Sequence, residues 1–286
     1  MSTSTATHRA TTRVTLRASP HASAAPAAFH TIAPGATGAP LYREVKRALL
    51  RAIEAGTCQP GHTLPSETAL AGALGVSIGT LRKAVDELVS EHLLVRRHGR
   101  GTFVATHGAD RFLFQFFHVE RRDGLREVPE VDLVSFERLR CDADGAHTLG
   151  EPAQALGLRP GDPVIQIENR LRLQGRAVVY DRLTLPASLF RGLTEKRLRE
   201  RPGTIYQYYQ SEFGITVLRA LERARACAAD RAAARVLGVA VGLPVMQVDR
   251  TALSFGDRPV EHRVSIIDTR HHDYVNLLSK PAARSE

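Results

Sequence analysis

Two arginines separated by a single residue, Arg170 and Arg172, stand in a stretch that alternates between apolar and polar side chains. On a β-strand such a pair projects from one face with its Cα atoms about 7 Å apart. Two guanidinium forks so spaced suit a carboxylate or a phosphate, because each fork donates parallel N–H groups to paired oxygens. The plainer account pairs them with Glu168 and Glu261 on a solvated face. Asp181 is a second oddity. It shares its alternating face with Ala177, Val179, Leu183 and Leu185, and a carboxylate among apolar groups needs a cation or a ligand hydroxyl beside it. His271-His272 invites a metal ion, but adjacent side chains on a strand or loop face apart. Cys58, Cys141 and Cys227 are far from one another and form no CxxC pair. No nucleophile with a neighbouring base is visible, so catalysis, metal binding and cofactors are not expected.

A different chemistry is written near the other end of the chain. Ser77 opens a segment in which Ile78, Gly79, Arg82 and Lys83 share one outward face, with Thr80 at its start. Small residues and hydroxyls at a helix N-terminus let backbone amides and the helix dipole approach a phosphate. An arginine in the second turn reaches the O6 and N7 atoms of guanine from the major groove. Arg96-Arg97-His98-Gly99-Arg100-Gly101 follows, a basic, glycine-rich tip slim enough for a minor groove. The blander reading makes Ser77 a cap and Arg82 a solvated side chain. Helix and tip together favour DNA.

The elements that hold these residues follow from periodicity. Leu41, Val45, Leu49 and Ile53 recur every four residues and predict an amphipathic helix ending near Gly56. Ser66 caps a short helix with Leu70 and Leu74 inward, and Ser77 caps a third whose inner face is Leu81, Ala84, Val85 and Leu88. Strands at 93–97 and 102–104 flank the basic tip. Three helices and a hairpin in about 65 residues describe a winged helix-turn-helix. Beyond it the period changes to two over 164–173 and 177–185. Leu156-Gly157, Gly161, Pro163-Val164 and Gln166 return 81 residues later as Leu237-Gly238, Gly242, Pro244-Val245 and Gln247. Each copy reads helix, turn, strand, hairpin, strand. Neither can bury its apolar face alone, so the two are expected to share one mostly antiparallel sheet, with a ligand cleft between them.

Pro40-Leu41-Tyr42, Gly61 to Glu67, Gly75-Val76-Ser77, Thr80-Leu81-Arg82 and His98 to Val104 resemble the GntR family of bacterial transcriptional regulators over residues 40–104. The resemblance implies operator contacts from Ser77, Thr80 and Arg82 and minor-groove contacts from His98 and Gly99. Ser66, Thr68, Lys83 and Arg100 complete the expected DNA face. Thr68 and Ile78 stand where many members carry arginine, so the usual half-site is not carried over. Arg170-Leu171-Arg172, Leu183 to Pro186, Thr204-Ile205-Tyr206, Gly242-Leu243-Pro244 and Pro259-Val260-Glu261 resemble the UTRA domain of the HutC-type branch, whose fold is similar to chorismate lyase. There the arginine pair holds an anionic group, and positions matching Asp181, Thr204, Tyr206, Arg219 and Glu261 serve the effector pocket. The family's Tyr-Arg-Gly-Asp-Arg-Tyr pattern becomes Ile267 to His272 here, which leaves a small carboxylate at least as suitable as a sugar phosphate.

The fold class expected is α+β. A tail at 1–39 precedes a winged helix-turn-helix at 40–105, a linker at 106–112, an effector-binding sheet domain at 113–280 and a short tail at 281–286. Arginine is abundant, with only four lysines among the 39 cations, so the net charge of +9 is weak evidence by itself. Its position says more: residues 1–39 carry three arginines and no acid, and residues 40–104 carry nine cations against six acids. That arm also fits an organelle transit peptide, although the rest reads as bacterial. The apolar stretch 236–248 is cut by two glycines and a proline, and no membrane span is expected. The function expected is a cytoplasmic, nucleoid-associated repressor. It would bind double-stranded DNA as a homodimer on an inverted repeat and leave when a small anionic metabolite binds. The rival is a chorismate lyase-like enzyme acting on a small dicarboxylate, to which a winged helix would add nothing.

Overall fold

The computed structural model describes residues 29–32, 40–91, 93–106, 115–141 and 150–276. The chain divides into two compact units, Met1–Ala105 and Thr106–Glu286. The expected joining segment falls largely on 107–114, outside the described residues, as do 1–28, 33–39 and the end of the chain from 277.

The first unit is built by three helices. α1 (Leu41–Glu54) buries Val45, Leu49 and Ile53, one per turn. α2 (Glu67–Leu74) starts where Ser66 Oγ accepts the Ala69 N–H and stops at Gly75, whose φ of +68° turns the chain out of the helix. α3 (Ile78–Ser90) is capped by Ser77, which accepts the Thr80 N–H at 3.2 Å, a contact worth about 1 kcal/mol. Its inner residues Leu81, Ala84, Val85 and Leu88 are almost fully buried, and Lys46 ties α1 to α3 through Glu87 at 3.0 Å. β1 (Leu94–Arg97) pairs with β2 (Gly101–Val104) as the wing. The segment before α2 joins as a third strand-like edge, with Leu64 N–H bonded to Thr102 O and Val104 N–H to His62 O. One expectation needs correcting. Residues 29–32 are not part of a structureless tail: Phe29 is 7% exposed and the Ile32 N–H bonds Leu74 O at 3.0 Å. A single buried aromatic and one backbone bond suffice to fix so short a segment.

The second unit is a six-stranded antiparallel sheet in the order β4-β5-β6-β9-β8-β7. The strands are β4 (Glu130–Arg140), β5 (Pro163–Leu173), β6 (Arg176–Pro186), β7 (Arg219–Ala228), β8 (Pro244–Leu253) and β9 (Pro259–Ile267). A short ribbon of β3 (Val119–Arg121) and β10 (His272–Tyr274) stands beside it. The internal repeat is the reason for the order. α4 (Glu151–Leu156) precedes β5 and β6 as α7 (Arg231–Leu237) precedes β8 and β9. Each helix ends at a glycine in the left-handed region, Gly157 and Gly238. An edge strand comes before each helix, so the sheet reads the same from both ends. β6 and β9 meet at the pseudo-two-fold, where Arg182 lies opposite Val264. No groove splits the sheet between the halves, because the β6–β9 ladder is hydrogen-bonded straight across; residues of both halves line a cavity on one face instead.

One face of the sheet carries Ile165, Ile167, Val179, Leu183, Val248 and Ala252. They pack with Phe190 and with residues of α6 (Ile205–Phe213), notably Tyr206 and Tyr209. Burying one such large side chain stabilises the fold by roughly 1.5–3 kcal/mol. The short helix α5 (Glu195–Arg199) contributes Leu198 to the same layer. On the opposite face α7 covers Tyr180, Val245 and Ile266 with Ala233, Val236 and Leu237. No helix among the described residues is long and apolar enough to cross a membrane.

Candidate functional site

In the first unit the outward face of α3 is open. Ser77, Ile78, Gly79, Arg82 and Lys83 are exposed, and Thr80 is half-buried with its Oγ1 2.9 Å from Ser77 Oγ. Ser66 and Thr68 at the start of α2 are also exposed, though the Ser66 hydroxyl is committed to its cap. Arg82 does not hang free. Its Nε donates to Glu67 at 2.6 Å, and the same carboxylate lies 4.0 Å from Arg96 of the wing. Glu67 therefore links α2, the recognition face of α3 and β1. Lys83 is drawn over the Tyr42 ring at 4.1 Å, which turns it toward α1. The tip residues His98, Gly99 and Arg100 are exposed. Gly99 has φ +66° and Gly101 +102°, and the Arg100 N–H closes the turn on Arg97 O. Arg97 leans over Phe103 at 4.7 Å, anchoring the base of the wing. The exposed N-terminus of α3 and a narrow basic tip thus stand in one unit.

In the second unit a cavity of about 60 Å³ lies between β5, β6, β9 and the start of α6. Its polar lining is Asn169, Asp181, Arg201, Thr204 and Arg263, with Leu171 beside them. Val128 and Val131 form an apolar rim and are exposed at 46% and 39%. Thr204 caps α6 by accepting the Gln207 N–H at 3.3 Å, and with Gly203 and Ile205 it brings the start of that helix to the lining. Gly203 has φ +75°, in the left-handed region that favours glycine, and turns the chain into α6. Two lining atoms lack partners among the described residues, Asn169 Oδ1 and Arg201 Nε. Asn169 is only 4% exposed, so its bare oxygen marks a place for a donor or for water. Arg201 donates from Nη1 to Leu198 O at 2.7 Å, and burial lowers its pKa from the ordinary arginine value.

Behind the cavity runs a buried charged network. Arg263 reaches Asp181 at 3.1 Å and Glu261 at 3.0 Å. Tyr206 and Tyr209 donate to the two Glu261 oxygens at 2.9 and 2.8 Å, and Ser265 donates to Asp181 at 2.5 Å. Burial opposes the Arg263 charge, but Glu261 and its neighbours hold the pKa well above the usual value. Burial and the Glu261 charge push both tyrosine hydroxyls upward. Each carboxylate of the network is met by Arg263 and by at least one hydroxyl.

The expected effector residues are thus dispersed. Asp181 and Thr204 line the cavity, while Tyr206 and Glu261 lie one hydrogen-bonded layer behind it. Arg219 is exposed on β7 and bound to Asp257 at 3.1 Å, away from the cavity. Arg170 and Arg172 require the larger correction. They leave β5 on the opposite face, where Asp132 of β4 takes both, Arg170 Nε at 3.0 Å and Arg172 Nε at 2.8 Å. Alternation makes this unavoidable, since Asn169 and Leu171 are the residues that face the cavity. The plainer account named Glu168 and Glu261 as partners, whereas Asp132 takes both arginines. Asn169, Arg201 and Arg263 are additions. Asn169 interrupts the apolar side of β5 and could have been noticed there, and Asp181 itself demanded a cation. No group of three His, Cys, Asp or Glu among the described residues is placed to hold a metal.

Comparison with known proteins gives these two units their class. Residues 41–104 match the family described as bacterial regulatory proteins, gntR family, and residues 125–273 match the UTRA domain. The HTH-type transcriptional repressor NagR of Bacillus subtilis is 26% identical over 245 residues, covering 84% of this chain and 96% of the relative. The histidine utilization repressor of Pseudomonas aeruginosa is 34% identical over 151 residues, 49% of this chain and 56% of the relative. A crystal structure described as the ligand-binding domain of a GntR-family transcriptional regulator from Bordetella bronchiseptica superposes with a TM-score of 0.53. It is 36% identical and covers 58% of this chain and 99% of that one. These matches name regulators and set the lyase alternative aside. The chain belongs to the gntR family of bacterial regulatory proteins, a DNA-binding transcription regulator of the HutC type whose second unit is a UTRA domain.

Proposed function

We propose that this regulator is a repressor, bound to an inverted-repeat operator as a homodimer and released when the anionic head of a small metabolite enters the cavity beside α6. The observation that carries the reading is convergence. The Arg201 guanidinium and the start of α6 line one small space, where the bare Asn169 oxygen offers an acceptor to a hydroxyl beside the anionic head. A helix N-terminus and a half-buried arginine both favour negative charge. About 60 Å³ holds a carboxylate or phosphate head but not a whole metabolite, so the rest of the effector must lie outward along Val128 and Val131. Their exposed apolar surface supports a ligand with an apolar body. The names of the relatives, repressors in several cases, support the sign of regulation.

The DNA side rests on Ser77, Thr80 and Arg82 with His98, Gly99 and Arg100. One winged helix reads too few base pairs to find a single genomic site, which is why two copies are required. Fluorescence anisotropy of an operator duplex tests the scheme, titrated with small carboxylates and with phosphorylated sugars. Release is expected from a member of one of these classes, and Arg201→Gln should still bind the duplex but no longer let go. An Arg201→Gln protein released at the wild-type effector concentration would overturn the pocket assignment.

A further inference from the structure

The internal repeat makes a comparison within one molecule. On the sheet face away from the proposed effector cavity, Tyr180 of the first half is sealed under α7 by Ala233, Val236 and Leu237. Its hydroxyl is satisfied by Glu168 at 2.6 Å. The position matching Tyr180 in the second half is His262, and that matching Glu168 is Asp249. The covering helix there is α4, which brings Glu151, Gln154 and Ala155 where α7 has Ala232, Arg235 and Val236. The second copy is not sealed. A trough of about 570 Å³ opens between α4 and strands β7, β8 and β9, in the size range of small-molecule sites.

Two charges in the trough lack a partner of their own among the described residues. Asp249, 8% exposed, is taken by Arg225 at 2.9 Å and by the Gln247 amide at 3.0 Å. Asp257 is taken by Arg219. Arg223 has no ion pair among the described residues. Glu151 has only the neutralised Arg225, at 3.7 Å. One unmatched cation and one unmatched anion therefore line the same trough, with Leu221, Leu253 and Pro259 supplying an apolar strip. His262 is 4% exposed, and its Nδ1 has no partner among the described residues. A buried polar atom left bare costs stability with no local return, and in this copy alone the seal that would exclude a guest is missing.

We propose that this trough is a second ligand site, taking an α-amino acid with an aliphatic side chain: carboxylate on Arg223, ammonium at Glu151, side chain on the apolar strip. A zwitterion is the class that neutralises both unmatched charges at once. The site is independent of the cavity beside α6, because it lies on the other face of the sheet and shares no residue with it.

The test uses the full-length protein with L-leucine, L-leucinamide and N-acetyl-L-leucine as probes, read by calorimetry and by the His262 imidazole resonances. Leucine at millimolar concentration should shift His262 and leave the Asn169 side-chain amide unmoved. Leucinamide lacks the anion and N-acetyl-leucine lacks the cation, so each should bind at least tenfold more weakly. Arg223→Gln should erase the preference over leucinamide, and Glu151→Gln the preference over N-acetyl-leucine. The proposal falls if leucine leaves His262 unshifted at its solubility limit, if both analogues bind as tightly as leucine, or if the shifts appear at Asn169 instead. The wild-type comparison of the three probes decides the matter even where a variant does not fold.

Discussion

Asp181 and Arg263 occupy equivalent positions in the two halves of the repeat and bind each other across the pseudo-two-fold at 3.1 Å. The equivalence follows from register. Leu183 faces Ile167 as Ser265 faces Val248, and one pleat away on each strand come Asp181 and Arg263. A symmetric dimer of single halves would set aspartate against aspartate or arginine against arginine at this spot, a repulsion buried away from water. Opposite charges there require both halves in one chain.

Breaking that pair should be costly. Arg263→Met strands two carboxylates, Asp181 and Glu261, both almost completely buried, and is expected to lose about 3–5 kcal/mol. Urea unfolding of the second unit measures it, and a loss below about 1 kcal/mol would show that water enters the site.

Arg82→Ala should weaken operator binding by about 1–3 kcal/mol and relax preference at one base pair. Glu67→Ala frees the Arg82 fork from its present partner and should mostly erode discrimination, with a smaller effect on affinity. Binding of the wild type should fall steeply with salt as phosphate contacts release counterions. Anisotropy titrations against single-base operator variants read all three, and unaltered binding by Arg82→Ala would refute the docking of α3.

Arg170→Ala with Arg172→Ala is expected to leave effector response intact, since both side chains face Asp132 on the other side of the sheet. Asn169→Ala should weaken the response although it removes no charge. A double arginine variant deaf to effector, beside a normally responsive Asn169→Ala, would return the site to the arginine face.

Stability should decline in mild acid. Burial lowers the pKa of His118, His262 and His272 in the folded protein. Below about pH 6.5 the unfolded chain therefore takes up protons that the folded chain refuses, and stability falls as pH falls. Above that value all three are neutral in both states and the contribution is flat. Melting temperature between pH 7 and pH 5 checks this; a Tm that rises on acidification would contradict it.

Much of the architecture can be read from residue order alone. The caps Ser66 and Ser77, the four inward residues of α3 and the alternation of β5 all name their elements, and the 81-residue repeat foretells a sheet made of two like halves. What alternation cannot say is which side of a strand is roofed. The cover over Asn169 and Leu171 comes from Arg201, Thr204 and Ile205, some thirty residues later, and only packing reveals it. Arg201 sits in an Arg-Glu-Arg-Pro run that looks like solvent-facing charge until α6 folds beside it. Arg170 and Arg172 drew notice because they are charged, yet the cavity is marked by an asparagine with a bare oxygen.

The sheet has two outer strands, and they are not alike. β4 is interrupted between Leu133 and Ser135, where its register slips by a residue. β7 runs ten residues without a break, with Leu221 52% exposed. An unbroken outer strand is a template for another chain, and a slipped one is a poor template. A second copy laid along β7 would present only the interrupted strand at each new end, so addition stops at a closed pair and does not run on into fibres.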